Sequence, residues 1–231
     1  MIAKGFVVSA PIVIAVDGTA ASGKGTLAKR LARHFNFAHM DSGALYRLTA
    51  LAVLEAQGDP AAQGDALRGA ASVDLSRAGD PAIRSDIVGK AASQVAALAA
   101  VRLALHDFQT AFLAQPPGRS PGAVMDGRDI GTVIAPQATA KLFVDAAPQV
   151  RAHRRWLELK GLGIVRDEAE LLAEIKARDH ADRTRAVSPL TQAPDARLLD
   201  TTSLDIDAAF AAALALVEPK VRSALKDRPR G

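Results

Sequence analysis

The stretch Asp17-Gly18-Thr19-Ala20-Ala21-Ser22-Gly23-Lys24-Gly25-Thr26 constrains this chain more than any other. It follows a short apolar, β-branched run, Ile12–Val16, and precedes a segment in which Leu27, Leu31 and Phe35 recur four apart. That order predicts a strand buried on both faces, a tight Gly-rich turn and an amphipathic helix. G-x4-G-K in this setting is a phosphate cradle: the loop wraps its backbone N–H groups around an anion at the positive end of the helix. Gly18 and Gly23 allow turns that a side chain would obstruct, and Lys24 reaches the β- and γ-phosphates. The position after Lys24 is Gly25, and the hydroxyl comes one place later on Thr26. A magnesium ion accompanying the nucleotide is therefore expected at Thr26 through water.

The rest of the chain reads as one α/β domain. It has 231 residues, 49% apolar and 23% charged, within the range of globular proteins. There is no cysteine, so disulfides, thiol catalysis and Cys-ligated metals are excluded. Strands are expected at Phe37–Met40, Ala123–Asp126, Leu142–Asp145 and Arg197–Asp200. Helices are expected at Ala44–Gln57, Ser85–Ala114 with a bend near Ala99, Pro148–Lys160, Asp167–Arg185 and Ile206–Val217. Such alternation predicts a parallel sheet with helices on both faces.

No stretch approaches the roughly 18–20 apolar residues of a membrane span; the longest uninterrupted apolar run is Ala208–Val217. Lys4 followed by Phe6–Val16 loosely mimics a secretory leader, but Pro11 interrupts it and the strand needs Ile12–Val16. A cytoplasmic protein is expected.

Net charge is only +4, yet 20 of the 29 basic residues are arginine, whose planar fork suits phosphate and carboxylate. Asp41-Ser42-Gly43-Ala44-Leu45-Tyr46-Arg47 follows the second strand, and Asp126-Gly127-Arg128-Asp129-Ile130-Gly131-Thr132 follows the third. Both fall at the carboxyl edge of the sheet, where ligands bind in open α/β folds. Asp41 or Ser42 can equally cap the next helix. Arg178, Asp182 and Arg185 are spaced to share a helix face, the usual pattern of a solvated charged face. Arg151, Arg154 and Arg155 on the preceding helix point instead to an arginine hairpin closing over phosphates.

Together the cradle, DSGALYR, AASQVAALAAVR (Ala91–Arg102), DGRDIGTV and RDHADRTRAVSPL resemble the bacterial cytidylate kinases, the CMP/dCMP-phosphorylating nucleoside monophosphate kinases. The resemblance runs from about Ile12 to Val217. It implies a P-loop three-layer fold: core 10–58, 115–148 and 188–231, a monophosphate-binding insert 59–114 and an arginine-bearing helical lid 149–187. It implies ATP on Gly18–Thr26 and the lid arginines Arg151, Arg154 and Arg155. Arg47 and Arg128 become clamps on the acceptor phosphate, with Arg185 beside them, and Asp41 and Ser42 line the monophosphate side. Ser93, Arg102 and Asp129 are similar to residues that read the cytosine edge, Asp129 accepting from the exocyclic amine. Arg178 and Asp182 resemble ribose contacts. Lys24, Arg128 and Arg185 are the expected catalytic cations, with Mg2+ accompanying ATP.

Residues 59–90 depart from the family pattern. Many members carry three short antiparallel strands here, but this segment is short, Ala/Gly-rich and poor in alternating apolar residues. Part of that sheet is expected to be missing. Among rival readings stands a kinase of UMP, AMP or shikimate; Asp129 suits an amine-bearing base, which favours CMP over UMP. A P-loop switch protein lacks an N-K-x-D motif. A nucleic-acid binder lacks a stacking platform, with one Trp, one Tyr and seven Phe. A monomer acting on small nucleotides is expected, with neither nucleic acid nor membrane as partner.

Overall fold

The computed structural model describes residues 10–228. The leader-like stretch before residue 10 lies outside the described residues. Five parallel strands form one sheet in the order β2-β3-β1-β4-β5: β1 (Ile12–Gly18), β2 (Ala38–Asp41), β3 (Gly122–Gly127), β4 (Ala140–Asp145) and β5 (Arg197–Asp200). The predicted strands are all present.

Alternation along β1 divides the core in two. Ile12, Ile14 and Val16 face α1 (Lys24–Phe35) and α8 (Ile206–Lys226). Ala15 faces the other layer, built from α2 (Ser42–Glu55), α3 (Gln63–Ala71), α4 (Asp86–Ala97) and α5 (Ala99–Ala114). Two further helices, α6 (Pro148–Gly161) and α7 (Glu168–Thr184), pack on each other as a hairpin. In α1 the buried residues are Leu27, Ala28, Leu31 and Ala32, one stripe of a 3.6-residue period.

Several boundaries move for identifiable reasons. Asp41 caps α2 by accepting from the Ala44 N–H at 3.2 Å, so the helix begins at Ser42, not Ala44. The expected bend near Ala99 is a full break: α4 and α5 meet at 95° around Leu98. Helix α8 runs nine residues past Val217, through Pro219, because Val221 continues the buried stripe of Ala213 and Val217. Residues 59–90 contain α3, two 3-10 turns and the start of α4, and no strand. The helix α3 was not foreseen, since only Ala66 and Gly69 in it are buried. Among the described residues no single helix is long and apolar enough to cross a membrane.

Candidate active site

The cradle sits where β1 hands over to α1. At Gly18 φ is +153°, and a Cβ there would stand 2.0 Å from the Val144 carbonyl oxygen on the neighbouring strand, so only glycine fits. Gly23 caps α1 at φ 87°. The loop is tied from outside. Thr19 Oγ1 donates to Asp145 Oδ1 at 2.6 Å, Thr201 Oγ1 to the Ser22 carbonyl at 3.1 Å, and Arg151 Nη1 to the Ala20 carbonyl at 3.1 Å. Ser22 Oγ adds a bond to the Thr19 carbonyl at 3.0 Å. These contacts fix the loop before any anion arrives, so little reorganisation is needed on binding.

Lys24 opens α1, its stem half-exposed and its ammonium withdrawn from water. Burial and the nearby Arg128 guanidinium push that ammonium down to about 7, against the opposing pull of Asp126 and Asp41. A phosphate beside it would restore the charge.

In front of the cradle lies a cavity of about 230 Å³ into which the expected acceptor residues converge: Asp41, Ser42, Arg47, Ser93, Arg102, Arg128, Asp129, Arg178, Asp182 and Arg185 all line it, with Lys24 and Gly25. Asp41 both caps α2 and pairs with Arg47 at 2.5 Å, so the two readings of this acid hold together. Burial works to raise its carboxyl, but Arg47, Lys24 and His39 hold it below the usual range. Ser42 Oγ donates to the Asp126 carbonyl at 2.8 Å, joining the β2–α2 turn to β3. Arg128 Nε donates to Asp182 Oδ2 at 2.7 Å. Arg102 ion-pairs with Asp129 in the buried rear wall and lies over the Tyr46 ring at 5.3 Å. Arg185 stands 4.0 Å from Asp129 and 3.8 Å from Asp182. Ser93 Oγ donates to the Gly89 carbonyl at 3.3 Å.

Six cations and four acids line this cavity. Arg47 Nε, Arg102 Nε, Arg178 Nε and Arg185 Nη2 are buried without a hydrogen-bond partner. Burial and Arg128 push the Arg178 guanidinium down to about 10, and burial with Arg102 lowers Arg185. Excess positive charge and orphaned donors in one enclosed space are the signature of an anion site.

A family model for cytidylate kinase matches residues 14–219. The chain belongs to the cytidylate kinase family. It is 52% identical over 213 residues to the cytidylate kinase of Nitrobacter winogradskyi, covering 92% of this chain and 99% of that one. It is 53% identical over 207 residues to the cytidylate kinase of Rhodopseudomonas palustris strain TIE-1, covering 90% and 96%. A solved structure of an uncharacterised Eubacterium ventriosum protein shares the fold, at a TM-score of 0.52 and 14% identity, over 90% of this chain and 98% of that one.

In this cytidylate kinase family member the α6 arginines Arg151, Arg154 and Arg155 are bonded to protein groups. Arg151 is 2% exposed and spends its guanidinium on protein: Nε on the Ala146 carbonyl at 2.7 Å, Nη1 on Ala20, and both Nη atoms on Asp179 at 3.1 and 2.5 Å. In this arrangement it braces the cradle loop from behind, its donors turned to protein groups. Arg154 donates to Thr201 and to the Leu204 carbonyl. Arg155 reaches Glu158 and Asp86. The α6–α7 hairpin is not free-standing: Arg155 and Arg166 both meet Asp86 of α4, and Lys90 and Arg166 meet Glu174.

Thr26 is exposed in the first turn of α1. A Cβ on Gly25 would stand 3.5 Å from Asp126 Oδ2, so the Asp126 carboxylate faces the slot where Ser or Thr is absent. Its other oxygen, Oδ1, lies 2.9 Å from His39 Nε2. Among the described residues no three His, Asp or Glu side chains are grouped to hold a metal. The hydroxyl of Thr26 and the carboxylate of Asp126 are oxygen donors of the kind that suits a hydrated Mg2+. Sequence reasoning missed His39, Asp126, Asp145 and Thr201 as site residues. The acids at the strand ends were visible, but nothing local told which would turn toward the cradle.

Proposed function

We propose that this chain transfers the γ-phosphoryl group of ATP to CMP or dCMP, giving ADP and CDP or dCDP, with the residue roles that follow. The observation that carries this reading is the meeting, at Lys24 and Gly25, of a phosphate cradle with a cation-lined cavity in which four buried arginine nitrogens lack a hydrogen-bond partner. ATP binds by its phosphates on Gly18–Thr26, with Arg154 and Arg155 on the lid side. Thr26 and Asp126 would hold, through water, a Mg2+ accompanying ATP, which would supply neutralisation of charge on the transferred group. Arg47, Arg128 and Arg185 hold the acceptor phosphate, Arg178 and Asp182 its ribose, and Ser93, Arg102 and Asp129 its base. The acceptor phosphate oxygen attacks in line, so the protein supplies position and positive charge and no base or nucleophile. The chain works as a cytoplasmic monomer on small nucleotides, divided into the core, insert and lid given above.

A steady-state assay against the four nucleoside monophosphates tests the reading, CMP and dCMP being the expected acceptors. Asp129→Ala is expected to erode the preference for CMP over UMP about 10- to 150-fold, the loss of a hydrogen bond worth roughly 1.5–3 kcal/mol to a charged acceptor. An unchanged ratio would remove Asp129 from base recognition.

The lid gives a second test. Its contacts with the insert through Asp86 and Glu174 are exposed or half-exposed ion pairs that solvent screens, so opening is inexpensive. Hydrogen exchange over residues 150–186 is expected to slow when ATP and CMP analogues are both bound, and much less with CMP alone. Equal protection with and without ligands would show a rigid lid.

A further inference from the structure

Asp17 lies one residue ahead of the cradle, and its carboxylate is buried outside the residues that line the cavity. Both oxygens are committed to backbone. Oδ1 accepts from the Ile130 N–H at 2.8 Å and Oδ2 from the Gly131 N–H at 2.7 Å. Those N–H groups open a wide turn, Ile130–Ile134, that follows directly on Arg128 and Asp129. The fit is close: a Cβ on Gly131 would stand 3.2 Å from Asp17 Oδ2 and 3.1 Å from Lys141 Cδ. A neutral side chain of the same shape would offer only one good acceptor, whereas an ionised carboxylate offers two. Burying that charge is costly, and nothing in phosphoryl transfer itself uses it.

We propose that Asp17 is a positioning residue for the acceptor nucleotide, its carboxylate gripping the 130–131 backbone so that Arg128 and Asp129 are presented at the correct depth in the cavity. The inference rests on the reading that Asp129 meets the base and Arg128 the phosphate. It makes the carboxyl end of β1 the physical link between the donor loop that follows it and acceptor recognition at the 130–131 backbone.

The ionisation state matters. Burial is the largest influence on Asp17 and pushes its carboxyl up to about 6, against the pull of the Gly131 and Ile130 N–H groups. Asp129 disfavours the charge and Arg128 favours it. From β4, Lys141 packs its stem near Gly131, while its ammonium is held by Asp195 and the Pro136 carbonyl. Because the folded value lies above the ordinary 3.8, Asp17 favours the fold below that value and loses this contribution as pH rises through about 6. The two-pronged grip is complete only above about 6, so positioning and stability pull in opposite directions.

Two measurements test this. In Asp17→Asn, with folding checked by thermal unfolding, KM for CMP is expected to rise about tenfold and CMP-over-UMP discrimination to fall about tenfold, while KM for ATP changes less than about threefold. In the unaltered protein, the Ile130 and Gly131 amide protons are expected to shift together with a midpoint near about 6, and discrimination to fall with them. Discrimination is the quantity to follow, because CMP and UMP carry the same titrating phosphate. Asp17→Asn with ordinary KM for CMP and ordinary discrimination would overturn the proposal, as would amides that do not move with pH. If Asp129→Ala leaves the CMP:UMP ratio unchanged, the base-reading assignment itself fails. If Asp129→Ala erodes the ratio and Asp17→Asn does not, only the positioning role fails.

Discussion

Lys24→Ala is expected to lower kcat about 10²- to 10³-fold or more, the cost of losing one preorganised donor on the transferred phosphoryl group, while leaving the protein at least as stable. The two halves of that statement share one cause. The Lys24 ammonium is enclosed beside Arg128, and its folded value lies at about 7 instead of 10.5. Without bound phosphate, the fold therefore binds this proton less well than the unfolded chain does. The resulting penalty is full below about pH 7 and fades as pH rises towards 10.5. Alanine removes the penalty and the catalytic charge together, a trade of stability against activity. ATP supplies the missing counter-charge, so nucleotide binding near pH 8 should draw a proton onto Lys24. Calorimetry of ATP binding in buffers of different ionisation enthalpy reads that uptake as the difference between unaltered protein and Lys24→Ala. Activity retained within about threefold in a folded Lys24→Ala protein would remove Lys24 from the phosphate cradle.

The cradle was legible in the sequence because all its parts are contiguous. A strand, two spaced glycines, a lysine and a helix fix each other within twenty residues, with φ values at Gly18 and Gly23 that follow from the turn. The acceptor cavity was legible to a lesser degree: its residues come from α2, α4, α5, α7 and the end of β3, and only resemblance joined those motifs before the sheet did. What stayed hidden depends on direction and distance. Arg151 was recognised as a helix arginine beside phosphates, but the sequence does not say whether such a residue turns inward to Asp179 and Ala20 or outward. Asp17 stands 113 residues before the N–H group that defines its purpose, and no local pattern marks an acid whose partners are backbone. The continuation of α8 beyond Val217 was masked by Pro219, whose local cost is outweighed by burial of Val221 on the next turn.

Arg128 offers the second large effect, because it lines the cavity beside Lys24 and holds a buried acid. Its Nε meets Asp182 Oδ2 at 2.7 Å, it lies near Lys24 and Arg178, and it lines the cavity. Burial opposes its charge, but Asp182, Asp126 and Asp41 together raise its affinity for the proton. Arg128→Ala is expected to lower kcat/KM for CMP about 10³-fold, an acceptor clamp and a catalytic charge lost at once, with KM for ATP changed less than about threefold. Arg128→Lys should recover little, since an ammonium cannot bond Asp182 through Nε and still present a fork to phosphate. Stability should move as well. Burial tends to raise the Asp182 carboxyl, yet Arg128 first, then Arg178 and Arg185, hold it below 3.8. The pairing therefore stabilises the fold above that pH and is lost as the solution is acidified below it. Arg128→Ala strips away the main partner and leaves a buried carboxylate less compensated, so the variant should unfold at lower temperature near neutral pH and recover part of that loss when Asp182 is also made Asn. A double-mutant cycle of Arg128 and Asp182 read by thermal unfolding should show coupling of about 1–3 kcal/mol. Additive losses would mean that the 2.7 Å contact contributes nothing, and a rise in KM for ATP with KM for CMP unchanged would place Arg128 on the donor rather than on the acceptor.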